Sequence, residues 1–433
     1  AMNGLQWIID NKDTAWQGAN ESNYGIDIIS LSWGITSHEG GGSDGEDMHS
    51  RILNEAMEAG IVVSVAAGND GPDNDGLSGM GSSNLAITVG ATDDINTVDR
   101  EDDTVASYSS RGPRRDNADG NPLNELKPEI SAPGTNIIQA EGCVTSGTCI
   151  NFLGGDASEN GYTSRGSGTS YAAPAVTGII ALMLEANPEL SPAEVKEIIK
   201  ITAERRGEPT QPDVDPFWNR DFGWGMADAL AATELSFYLH DSGLTGQVDV
   251  TTQVHILSKG MDNASGLYVI SGEAWGQSGS VSAVEFRIGD GAWQSAGFNQ
   301  SSGELGALER FTWTVALNPD ALAKGENNIE VRGLNDQDSQ SLPVFASVEG
   351  TGAAMDDSGM GWSMPQYMTL VGLMLVLSLL GVTRGARIDQ PLSIVSMEPK
   401  DSIEAVLAAD ADLASAVDAV LVEDEEKRET GED

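Results

Sequence analysis

Hydrophobic spacing changes character three times along the 433 residues. Up to about residue 240, short apolar runs alternate with segments whose apolar residues recur every three or four positions. The runs Asp27–Trp33, Ile61–Ala66 and Leu85–Ala91 read as strands buried on both faces, since they lack a polar alternate. Leu5, Ile8 and Ile9, with Trp7 and Trp16 nearby, predict a helix at the start of the chain. Glu46–Ala59 and Ala172–Ala186 carry helical periodicity too, the second opening at Ser170. Ser191-Pro192-Ala193-Glu194 is a capping box with proline at the first helical position, so a helix carrying Val195, Ile198 and Ile199 runs to about Ala203. Strands alternating with helices predict a parallel sheet covered on both faces.

Beyond residue 243 the period becomes two. Val248–Val250, Val254–Leu257, Tyr268–Trp275, Val281–Ile288, Phe311–Val315 and Asn328–Arg332 alternate between short turns. That pattern predicts an antiparallel β-sandwich of immunoglobulin-like build over residues 245–350, with Val284–Ile288 and the following Gly289–Trp293 forming a hairpin. A small acidic linker, residues 351–363, precedes Met364–Val382, which has no charged residue. About 20 apolar residues span a bilayer, so 364–383 is expected to be a transmembrane helix. Trp362 and Tyr367 stand where an aromatic belt forms, and Arg384 and Arg387 follow directly. Positive charge on that side places the tail in the cytoplasm and everything before the span outside the cell membrane.

Composition narrows the partners. A formal net charge of −44 with 23 Lys+Arg excludes a nucleic-acid binder on electrostatic grounds and describes a strongly solvated acidic surface. The tail, residues 384–433, is itself acidic. Ile403, Val406, Leu407, Leu413, Val417, Val420 and Leu421 fall at near-helical spacing, a face for a cytoplasmic protein partner. A solvated, disordered tail is the alternative. Cys143 and Cys149 flank five residues, a spacing that suits a disulfide-closed hairpin outside the cell, with two free thiols as the alternative. Arg111–Asn124 is polar and rich in turn formers, so it reads as a surface insertion. Its Asp116, Asp119 and Asn121 could hold calcium, but their spacing misses the EF-hand pattern; no metal or cofactor is assigned. Asn263-Ala264-Ser265 and Asn299-Gln300-Ser301 match the N-glycosylation pattern.

The chemistry concentrates in Gly166-Ser167-Gly168-Thr169-Ser170-Tyr171-Ala172-Ala173-Pro174. A serine after small residues at a helix start is held where the helix dipole favours a developing anion. This segment resembles the nucleophile segment of the subtilisin-like serine proteases. Asp27–Gly34, Ile61–Asn69, Ser109–Pro113, Lys127–Gly134 and Gly223–Ala229 resemble that family in the same order, over residues 1 to about 235 of a peptidase domain taken as 1–240. The resemblance implies an extracellular serine endopeptidase that cleaves peptide or protein substrates through an acyl-enzyme on Ser170. It implies that Asn69 completes the oxyanion hole with the Ser170 backbone N–H. It also implies that Ser32, Trp33 and Gly34 contact the peptide through their backbone, opposite a roomy apolar pocket bordered by Ala66, Ala67 and Gly68. Losing a fixed side-chain donor costs about 3–4 kcal/mol of transition-state stabilisation, a figure that comes from subtilisin itself. The plain alternative makes Ser170 a helix cap and Asn69 a turn former.

A serine hydroxyl also needs a base, usually a histidine oriented by a carboxylate. In the family the histidine lies in a His-Gly-Thr-His-like segment upstream of the first matched strand, with the aspartate further upstream; neither segment occurs here. Of the four histidines, His38 lies in an acidic, Gly-rich loop, His49 on the helix 46–59 as a half-buried structural residue, and His240 and His255 at or beyond the end of the matched region. The opening within a helix predicts the C-terminal part of a longer protease, inactive by itself. A surface protein with a degenerate protease-like domain is the alternative.

Overall fold

In the computed structural model, the described residues are 2–19, 24–34, 42–72, 77–138, 166–277, 279–305 and 308–353. The chain divides into two compact units at Met374/Leu375, and all described residues belong to the first. His38, the cysteine pair, the expected transmembrane helix and the acidic tail lie outside them.

The strand runs of the first half assemble as expected. β1 (Ile28–Leu31), β2 (Val62–Ala66), β3 (Ile87–Asp93) and β5 (Ile130–Pro133) form a parallel sheet, and β4 (Thr104–Val105) pairs antiparallel with β3. Side chains alternate between two apolar layers, as the pleat demands. Val63 and Val65 of β2, with Ile29 and Leu31 of β1, pack on α1 (Met2–Asp10) and α2 (Met48–Glu58). Val62 and Ala66 face the other layer, made of α3 (Thr169–Ala186), α4 (Pro192–Thr202) and α5 (Ala229–Asp241). The α4 capping box forms as read, while α2 starts at Met48 because Asp47 caps it, accepting from the His49 and Ser50 N–H groups.

Three features differ from the expectations. α5 has no counterpart among them: its buried Ala232, Leu235, Tyr238 and Leu239 make only a weak stripe in an Ala-rich segment. β3 starts two residues later than read and runs to Asp93. Arg111–Asn124 is not wholly superficial. Arg114 is 2% exposed, and its guanidinium donates to the carbonyls of Asp44, Asn124 and Arg115 and to Asn84 Oδ1.

The second half forms two antiparallel sheets. One has the order β10 (Gly297–Leu305), β11 (Leu308–Leu317), β7 (Leu267–Gly276), β6 (Thr252–Asp262); the other has β13 (Val344–Gly350), β12 (Gly325–Asn335), β8 (Val281–Ile288), β9 (Gln294–Ser295). They enclose one core, with Ile270, Ala274 and Trp313 meeting Val284, Ile329 and Val331. The expected hairpin is present, Phe286 opposite Gln294.

This sandwich is packed against α4 and α5. Leu342 joins the core of the α/β half, and Phe345 meets the Tyr238 ring edge-on at 5.1 Å. The Tyr238 hydroxyl donates to Glu330 Oε1 at 2.7 Å and accepts from Arg287 at 2.8 Å. Burial, with the Glu330 carboxylate beside it, pushes that phenol up to about 12. His255 on β6 is buried between Phe217 and Trp275, and its Nδ1 lies 3.2 Å from Arg205 Nη2. Because the arginine can only donate, Nδ1 is the acceptor and the ring is neutral. Burial first, then the Arg205 and Lys200 charges, holds this imidazole well below the usual histidine range.

The unfolded chain binds a proton at this histidine near pH 6.5, whereas the native chain does not until far lower. The stabilisation is therefore complete above about pH 6.5 and declines as pH falls below it. Urea unfolding at pH 7.5 and 5 should show the decline, and His255→Gln should flatten the difference.

Candidate active site

The carboxyl ends of β1 and β2 and the N-terminus of α3 meet at one edge of the parallel sheet, where open α/β sheets commonly bind ligands. Leaving β1, the chain exposes Ser32, Trp33 and Gly34. Leaving β2, it passes through Ala67 to Gly68, at φ +113, and to Asn69. Only glycine tolerates that backbone easily, and a Cβ there would stand 2.8 Å from Ser110 Oγ.

Small residues bring α3 close to the sheet. Ala172 and Ala173 are fully buried, and Ser64 of β2 donates its hydroxyl to the Ala173 carbonyl at 3.0 Å. Gly168 precedes the helix with its N–H on the Gly134 carbonyl at 2.9 Å. A Cβ on Gly168 would lie 3.3 Å from Asn69 Nδ2, so the carboxamide runs alongside the residue that starts the helix.

Thr169 ties these parts together. Its N–H donates to Asn69 Oδ1 at 2.9 Å. Its hydroxyl lies 2.9 Å from the same oxygen and 3.2 Å from the Gly68 carbonyl, and accepts from the Gly68 N–H at 3.3 Å. Oδ1 thus faces both the N–H and the hydroxyl of Thr169, which fixes the orientation of the Asn69 amide plane. Thr169 lay within the sequence motif but had no role attached to it. Its β-hydroxyl beside an expected oxyanion donor was the available signal.

Ser170 is the next residue. Its hydroxyl donates to the Ser32 carbonyl at 2.8 Å, and the Ser32 hydroxyl donates back to the Ser170 carbonyl at 2.8 Å. Thus Ser32, Asn69 and Ser170 share one neighbourhood, with Trp33 and Gly34 adjoining. Ala66 and Ala67 are buried, 3% and 0% exposed, so their side chains belong to the core. Gly34 backs onto Ser78, whose Oγ would lie 2.6 Å from a Cβ there.

None of the three described histidines reaches Ser170 by a hydrogen bond. His49 Nδ1 stands 3.4 Å from Asp47, His240 is exposed in the last turn of α5, and His255 is buried against the sandwich. Among the described residues no group of His, Cys, Asp or Glu could hold a metal ion. Asp116, Asp119 and Asn121 each turn a side-chain oxygen to a backbone N–H two residues on.

A serine at the N-terminus of a core helix thus stands beside a locked carboxamide at one edge of a parallel α/β sheet. Residues 2–225 match the profile described as Peptidase S8, Subtilase family. The chain belongs to the subtilase family. It is 40% identical over 223 residues to serine protease AprX of Bacillus subtilis, a match covering 50% of this chain and 44% of AprX. Over 233 residues it is 30% identical to Bacillopeptidase F of the same organism, covering 52% of this chain and 13% of that protein. The chain thus spans less than half the length of these two relatives. Among solved structures, fervidolysin of Fervidobacterium pennivorans aligns with 81% of this chain and 43% of its own, at 20% identity and a TM-score of 0.39.

Thr169→Val keeps the shape but removes the hydroxyl that steadies Asn69 Oδ1. It should lower stability by about 1–3 kcal/mol in urea unfolding, as expected for a half-satisfied buried network.

Proposed function

We propose that this chain is the nucleophile-bearing part of a membrane-anchored, extracellular serine endopeptidase of subtilisin type. Ser170 attacks the scissile carbonyl of a peptide or protein substrate and forms the acyl-enzyme. Asn69 Nδ2 and the Ser170 N–H receive the oxyanion. Ser32, Trp33 and Gly34 pair with the peptide along one side, and Gly68 borders its other side, with Ala66 and Ala67 buried behind it. The observation that carries this reading is the pair of Thr169 bonds to Asn69 Oδ1, which sets the carboxamide one residue from the nucleophile.

The general base and its orienting carboxylate come, on this reading, from outside these 433 residues. Two features support that view. Pro174, Ala175, Gly178, Ala181 and Leu182 leave an exposed apolar side on α3, only 33% of which is buried. That is the one helix among the described residues long and apolar enough to cross a membrane, yet it packs on the sheet with Val176, Ile180 and Met183 at 0% exposure. Beside it, β1 pairs with β2 on one side only among the described strands. A buried parallel sheet with a free edge and an uncovered helix accommodates a further strand and helix. Residues 245–350 act as the β-sandwich, 351–363 as a linker, 364–383 as the membrane span and 384–433 as a cytoplasmic tail open to a protein partner. A non-catalytic surface protein is the alternative if the hydroxyl never reacts.

A serine-reactive fluorophosphonate should label the intact enzyme, base segment included, and Ser170→Ala should abolish the labelling. Asn69→Ala should lower kcat by about 10²–10³-fold. The 433-residue chain alone should show no peptidase turnover above background; substantial turnover would place the base within it. For the anchor, alkaline carbonate washing of membranes should leave the chain in the pellet, and removing residues 364–383 should release it.

A further inference from the structure

We infer that the Ser32 side chain is a positioning residue for Ser170, and that Pro174 creates the vacancy it fills; the inference rests on Ser170 being the nucleophile.

In an α-helix the carbonyl of residue i accepts from the N–H of residue i+4. For Ser170, in the first turn of α3, that residue is Pro174, inside the helix and without an N–H. Its ring also crowds the carbonyl four residues back, tilting it away from the helix axis. The Ser32 hydroxyl meets that carbonyl at 2.8 Å. Ser32 follows β1, 138 residues earlier in the chain, so the bond pins the nucleophile's own backbone to the end of a core strand.

The reciprocal bond gives the arrangement its consequence. In the resting state the Ser170 hydroxyl donates to the Ser32 carbonyl, closing a two-bond clasp. Once a base takes the Ser170 proton, that bond is lost because its hydrogen has gone. The bond from the Ser32 hydroxyl to the Ser170 carbonyl uses neither the proton nor the reacting oxygen. It persists, so the Cα of the nucleophile stays in register while its side chain reacts. A helix with alanine at 174 would hold the same carbonyl by its own N–H and would not need Ser32.

This logic predicts non-additivity. In the intact enzyme, Ser32→Ala should lower kcat about ten- to a hundredfold, the scale of a misplaced reacting group, while KM changes little because the Ser32 backbone remains. Ser32→Thr, which keeps the hydroxyl, should restore most of the loss. In a Pro174→Ala background, Ser32→Ala should cost less than about threefold, since residue 174 then supplies the donor. The same cycle in the 433-residue chain, read as thermal midpoints, should show Ser32→Ala lowering Tm by roughly 2–4 °C with proline at 174 and by much less with alanine there. Equal effects of Ser32→Ala in both backgrounds, in either readout, overturn the inference. Failure of the unsubstituted intact enzyme to label at Ser170 overturns the nucleophile reading, and the catalytic role of Ser32 with it.

Discussion

The close seating of α3 on the carboxyl ends of β1 and β2 is the constraint on which the rest of this molecule depends. A helix approaches a sheet this tightly only where its contacting residues are small, and Gly168, Ala172 and Ala173 supply that. Polar bonds then fix what packing alone leaves free to slide. Ser64 holds the Ala173 carbonyl, Thr169 holds Asn69, and Ser32 holds Ser170. Each joins β1, β2 or the residues that follow them to the start of α3, a hundred residues or more further along the chain, so two strands and the helix share one geometry. The Ser64 and Thr169 bonds are buried or half-buried; such bonds add little net stability, but leaving one partner unpaired is costly, and that asymmetry makes the arrangement specific.

The antiparallel half is part of the same construction rather than a module on a tether. It touches α4 through the Gln253–Glu197 hydrogen bond, and α5 and the segment after α4 through Tyr238, Glu330, Arg287, His255 and Arg205, all wholly or largely buried; α5 in turn packs on α3. An interface holding a neutral histidine beside an arginine tolerates added charge poorly. The contact between the two halves is therefore matched to neutral or alkaline surroundings.

Among the described residues, the uncovered side of α3 and the unpaired edge of β1 bear on how the site works. A serine without a base is a weak nucleophile, and here its hydroxyl rests on a carbonyl. On the proposed reading, the segment that covers the apolar side of α3 also brings the base, so burial and activation arrive together. The family assignment covers the first half of the chain, and the sandwich lies beyond the matched residues.

Much of this was legible in the residues themselves. Apolar runs without a polar alternate gave away the buried strands, the Ser191–Glu194 box marked the start of α4, and period two announced the antiparallel sheets, because these signals are local and repeat along the chain. Resemblance of their segments to a known family singled out Ser170 and Asn69, which the fold brings to one edge of the sheet. What the chain could not disclose by itself were relations between distant residues. α5 escaped because alanines blur its buried stripe, and Arg114 looked like surface because its partners come from Asp44 and Asn84. The Ser32–Ser170 clasp and the Thr169–Asn69 bonds exist only once β1, β2 and α3 are brought to one edge. Hydrophobic periodicity is written into sequence order; hydrogen bonds across the sheet edge are decided by packing, which places side chains by volume and not by their separation in the chain.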